Sequence, residues 1–72
     1  MGKGELIGMI ATAIGRAQHE ERRIEELKRM RDNPSTSKQY WDRYSGEIED
    51  HHKRKQKYQK DVKELQEVFN RE

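Results

Sequence analysis

Residues 41–72 read WDRYSGEIEDHHKRKQKYQKDVKELQEVFNRE, and a seven-residue repeat runs through them. Trp41, Ile48, Lys55, Val62 and Phe69 occupy one position of the repeat. Tyr44, His51, Tyr58, Leu65 and Glu72 occupy the position three residues on. This spacing puts them all on one seam of a continuous helix. The seam has large apolar ends and a charged middle at His51 and Lys55. Ser45-Gly46, followed by Glu47 and Glu49, offers a competing cap that would split the helix. A glycine inside a helix costs roughly 1 kcal/mol. The stripe nevertheless keeps its phase from Trp41 through Ile48, which a break would shift, so one helix is predicted over about 36–70.

Upstream lies the chain's only cluster of turn formers, Asp32-Asn33-Pro34-Ser35. Pro34 disfavours helix at Asn33 and ends whatever precedes it. Thr36 then has the position of an N-cap, and Gln39 three residues later completes a capping box. Before the turn, residues 3–31 contain no proline and carry a helical pattern. Its inward positions are Leu6, Ile10, Ala13, Ala17, Ile24 and Leu27, with Ile7, Ile14 and Met30 beside them.

A short turn between two long helices makes an antiparallel hairpin. The predicted fold is all-α, a two-helix hairpin (about 3–31 and 36–70) in a single domain over 1–72. Folding about Pro34 pairs Leu27 with Trp41, Ile24 with Tyr44, Ile10 with Tyr58 and Leu6 with Val62. Ala13 and Ala17 then meet Lys55 and His51, and Glu20 falls beside Ile48. In this register Lys55 lays its stem over alanine and sends its ammonium to water. Leu65 and Phe69 overhang the end of the shorter first helix.

Only 29% of the 72 residues are hydrophobic and 42% are charged, so a lone chain buries little core. Oligomerisation or docking on another protein is the expected route to stability. The 16 basic and 14 acidic residues are mixed, and many stand at helix-supporting spacings, which favours a solvated helix over a disordered chain. Examples are Arg16–Glu20, Glu25–Arg29, Glu49–Lys53, Asp50–Arg54 and Glu67–Arg71. A net charge of +2 does not by itself imply nucleic acid. Without cysteine there is no disulfide framework, thiolate zinc site or cysteine nucleophile. The run from Leu6 to Ile14 is too short for a membrane span, and Glu5 is misplaced in a secretory leader. Leu6 also stands where a myristoylation signal needs Ser or Thr. A cytoplasmic setting is expected.

From Leu6 to Ile14, seven of nine residues are apolar, and they surround the helix instead of lining one face. A single partner helix covers one face only. Gly4, Gly8, Ala11 and Gly15 add small residues where another backbone approaches closely. The expected oligomer or partner surface is Leu6, Ile7, Ile10 and Ile14 with Leu65 and Phe69 of the second helix. The competing reading is that this end merely packs on its own second helix. Membrane contact would want more Lys or Arg beside the apolar face. The glycines form no phosphate loop, since no strand precedes them and no Lys-Ser or Lys-Thr follows.

The basic run from His51 to Lys60 spreads round most of the helix. Lys53, Arg54 and Lys57 form a candidate anion patch, with Tyr58 near enough to stack on a base. The bland alternative is a solvated face balanced by Glu47, Glu49 and Asp50. In a multimer, symmetry would gather copies of Arg54 and Lys57 around one small anionic ligand. Glu49-x-x-His52 has the spacing of a carboxylate–imidazole metal pair, with His19 and Glu20 at a comparable height. Nothing repeats the motif, so neither a metal nor another cofactor is expected. His51, on the seam, has the place of a polar residue that sets register. Trp41 and Tyr44 are expected to close the turn end against Ile24 and Leu27, leaving Tyr40 outside the seam, near Arg43, for a partner. Ser35, Ser37 and Ser45 stand at turn or cap positions, without a histidine–carboxylate arrangement around them, and no catalytic residue is expected.

The expected function is that of a small non-enzymatic protein-binding module: an adaptor, inhibitor or assembly factor acting as a helical oligomer. Short cysteine-free chains of this composition are common among phage accessory proteins. The alternative is an oligomer that binds a phosphate-bearing ligand, nucleotide or nucleic acid through its basic patch.

Overall fold

The structure, a computed structural model, describes residues 2–71. Helix α1 spans Lys3–Arg31 and helix α2 spans Lys38–Arg71. They lie antiparallel as one hairpin, a rod measuring 53 × 14 × 12 Å. Glu72, the last member of the stripe, lies outside the described residues.

Both ends of α1 follow from local chemistry. Gly2 is extended, and its carbonyl accepts the Leu6 N–H at 3.2 Å. Glu5 in the first turn and Lys28, Arg29 and Arg31 in the last complement the helix dipole. Asn33 Oδ1 accepts from both the Ser35 N–H at 3.0 Å and the Ser35 hydroxyl at 2.6 Å, which tightens the turn. The Thr36 hydroxyl donates to the Met30 carbonyl at 2.6 Å. Thr36 therefore seals the end of α1 instead of capping α2. The capping box with Gln39 is not the start signal, because α2 begins later, where the Trp41 N–H reaches the Ser37 carbonyl at 2.9 Å.

Helix α2 runs unbroken through Ser45 and Gly46. A Cβ added at Gly46 meets nothing within 4 Å. Gly46→Ala is therefore expected to stabilise the hairpin by about 0.5–1 kcal/mol, by removing the glycine's excess unfolded-state freedom. Urea unfolding followed by far-ultraviolet circular dichroism checks this, and an unchanged midpoint would contradict it.

The register differs from that of a fold about Pro34 by about one helical turn. Ile24 and Leu27 pack with Ile48, and Tyr44 covers them from one side. Glu20 lies against His51 instead of Ile48, and Lys55 reaches Glu21 instead of lying over alanine. The Arg31 guanidinium sits 5.5 Å from the centre of the Trp41 ring, and the Lys3 ammonium 5.1 Å from that of Phe69. Three consequences correct the sequence-based expectation. Trp41 is 46% exposed and leaves closure of the turn end to Tyr44. Phe69 lies abreast of the first residue of α1, so neither it nor Leu65 overhangs. The centre of the seam is bridged by ion pairs and is not a gap over small residues.

A one-turn slip is possible because the seam repeats every three to four residues, so apolar groups meet apolar groups in either register. The polar groups decide between them. With Glu20 against Ile48, a carboxylate would be buried without a partner. One turn along, it meets a histidine and an arginine.

The buried apolar residues are Leu6, Ala13, Ile24, Leu27 and Ile48, of which only Leu6, Ile24 and Leu27 are almost wholly covered. This core is small even for so short a chain, and its two parts stand apart. Ile24, Leu27 and Ile48 form a cluster near the turn. Leu6 marks the far end.

Candidate partner-binding surface

Between the two apolar regions, α1 and α2 are joined by charge. Glu20, 7% exposed, is the only buried polar residue among those described. Its Oε2 accepts a hydrogen bond from His51 Nδ1, and its Oε1 lies 3.5 Å from Arg54 Nε. A carboxylate can only accept, so Nδ1 carries the proton. Arg54 Nη2, 3.0 Å from that nitrogen, therefore finds no lone pair there, and the guanidinium serves Glu20. The His51 hydrogen bond, together with the charges of His51 and Arg54, holds the Glu20 carboxyl below its ordinary range, although burial opposes this. Beside it Lys55 donates to Glu21, whose carboxyl is likewise lowered, first by that hydrogen bond.

These contacts redirect two pairs expected along single helices. Arg16 forms no ion pair with Glu20, and Arg54 none with Asp50, because Glu20 and Arg54 engage each other across the hairpin. Glu49–Lys53 does form, at 3.6 Å, with both side chains well exposed. The Arg16 guanidinium instead lies 6.0 Å from the centre of the Tyr58 ring.

The anion patch proper is dispersed by the same geometry. Lys53 is turned to Glu49 and Arg54 to Glu20, while Tyr58 is half-buried beneath Arg16. Lys57 is exposed. The four do not converge on one point. No group of three or more metal-ligating side chains occurs among the described residues.

The apolar end is different, because its side chains do converge. Two open grooves flank α1 there. One, of about 600 Å³, is lined by Ile7, Ile10, Ile14 and Phe69. The other, of about 820 Å³, runs between Met9, Thr12, Leu65 and Val68, with Glu5 and Arg16 along its α1 side. Ile7 is 56% exposed, Met9 44% and Ile14 40%. Of the six residues expected here, Leu6 is buried by its own hairpin and Ile10, Leu65 and Phe69 are half-buried, so Ile7 and Ile14 are the most available. Added Cβ atoms at Gly4, Gly8 and Gly15 would meet nothing within 4 Å, so no contact inside the hairpin requires glycine at these positions.

No family model, curated protein or solved structure matches this chain. Function is therefore inferred from the surface itself. Among the described residues, no helix is long and apolar enough to cross a membrane.

A second apolar patch lies at the turn, where Tyr40 and Tyr44 stack at 6.3 Å and Met30, Tyr40 and Trp41 are each at least 44% exposed. Two features of the site were not picked out from the sequence. Met9 was not, although its place in the apolar run was visible. The Glu20–Glu21 acceptor pair was not, because its role depends on a register that only the three-dimensional pairing reveals.

Proposed function

We propose that this hairpin is a non-enzymatic protein-binding module, an adaptor, inhibitor or assembly factor, that works in the cytoplasm as a helical oligomer joined through its N-terminal half. The observation that carries this reading is the exposure of Ile7, Met9 and Ile14 at one end of a rod whose own second helix cannot cover them. Apolar side chains exposed on both flanks of one helix in so polar a chain favour an interaction surface. Packing a second hairpin there gives a four-helix bundle, or a larger ring by repetition, and supplies the core that one chain lacks.

Binding of a phosphate-bearing ligand or nucleic acid through Lys53, Arg54, Lys57 and Tyr58 is the weaker reading, since Arg54 is turned to Glu20 across the hairpin and Tyr58 lies half-buried beneath Arg16.

Replacing both Ile7 and Ile14 with Asp tests the proposal. The expected result is a fall in solution mass to that of one 8.7 kDa chain, with the helical signal retained at least in part. A variant of unchanged mass would remove the N-terminal surface as the site of association.

A further inference from the structure

The occupant of the apolar end is, we infer, a second copy of this chain, with the two α1 helices antiparallel across a two-fold axis between Ile10 and Ala11. This rests on the self-association reading and adds the partner's identity, direction and register.

The exposed face of α1 is self-complementary. A two-fold interface pairs residue i with j and, equally, j with i. Ile7 and Ile14 stand seven residues apart on one side of α1 and share a groove. An axis midway between them, between Ile10 and Ala11, lays each isoleucine on its opposite number in the second copy. Glu5 and Arg16 stand eleven residues apart, three helical turns, on the opposite flank of α1, about 180° round the helix from the isoleucines, and both line the second groove. Their midpoint is the same, between Ile10 and Ala11. One axis therefore satisfies both requirements: the exposed isoleucines cover each other, and each Glu5 meets the Arg16 of the second copy. Neither Glu5 nor Arg16 forms an ion pair within the hairpin among the described residues, and Arg16 reaches the second copy's Glu5 by turning away from the Tyr58 ring, 6.0 Å from its guanidinium. Between the two edges lie Gly4, Gly8, Ala11 and Gly15, around which the backbone is open, so the helices can approach closely. A parallel two-fold pair would instead set the Glu5–Arg16 edge of one copy against the Ile7–Ile14 edge of the other, leaving both charges opposite isoleucine.

The chain contains no cysteine, so single cysteines report distance without background. In the antiparallel register, position 11 of one copy lies beside position 11 of the other, within disulfide reach. The two copies of position 4 are separated by about 20 Å of helix rise. Under mild oxidation Ala11→Cys is expected to cross-link to a dimer and Gly4→Cys to remain monomeric on a denaturing gel. Arg16→Glu is expected to weaken the dimer about tenfold, and adding Glu5→Arg to restore most of that loss. Cross-linking of both cysteines would mean a parallel pair and overturn the proposal. Cross-linking of neither, in a chain whose native mass is dimeric or greater, would overturn this register while leaving self-association standing. Failure of the double charge exchange to restore affinity would overturn the Glu5–Arg16 pairing. A wild-type chain that is monomeric would remove both the inference and the reading beneath it.

Discussion

Leu27→Ala should remove most of the hairpin's stability at 25 °C. Leu27 is 2% exposed and belongs to the cluster of Ile24, Leu27 and Ile48 that joins the helices near the turn. Truncating a buried leucine to alanine costs about 2–5 kcal/mol, from lost transfer energy and the cavity left behind. A core of a chain this short supplies only about 3–5 kcal/mol in all. One substitution at this position therefore consumes most of the margin. Met30→Ala is the control, since Met30 lies three residues along the same helix but is 44% exposed. It should shift the thermal midpoint by no more than a few degrees. Thermal melts of the two variants decide the matter, and a Leu27→Ala melt that overlays the wild type would mean the core lies elsewhere.

The second large effect is expected at the buried pair. His51→Ala should cost about 2–3 kcal/mol, because it leaves the Glu20 carboxylate buried with Arg54 as its remaining partner. The figure is set below the full range for a sealed ion pair because that arginine stays and its side chain is half exposed. Replacing both Glu20 and His51 with Leu should cost far less than His51→Ala, since no charge is then left buried. A double variant as unstable as the single one would refute this explanation. The pair also sets an acid limb. The Glu20 carboxyl titrates lower in the folded hairpin than in the unfolded chain, so its contribution is full above the ordinary value of 4.5. That contribution is lost as the pH falls through the lowered folded value. Urea midpoints measured between neutral and strongly acidic pH should therefore drop below pH ~4, and Glu20→Gln should flatten part of that drop.

The stripe from Tyr44 to Phe69 was legible because helix periodicity is a local property, and the burial pattern follows it along α2. Pro34 and the turn formers around it placed both helix ends within a residue or two. Register was not legible in the same way. An apolar seam with a repeat of three to four residues fits its partner at successive turns, and folding about Pro34 chose the wrong one. What separates the two registers is the partnering of Glu20, a pairwise property of residues 31 positions apart. The seam position of His51 indicated a polar residue that fixes alignment, but its partner did not follow from periodicity. The same slip explains Trp41, which kept its seam spacing and yet falls beyond the core, against Arg31. The apolar run of Leu6 to Ile14 was visible as too apolar for a single covering helix, and its exposed isoleucines agree with that. The basic run was visible as charge, but its ion pairs with Glu20 and Glu49 were settled by geometry.

One hairpin, we propose, is an incomplete fold, finished by association through its N-terminal half. Light scattering coupled to size exclusion, on the wild-type chain over a range of concentrations, tests it most directly. A mass of at least two 8.7 kDa chains, persisting on dilution to low micromolar concentration, is expected. A single-chain mass at every concentration, with the helices intact, would contradict it.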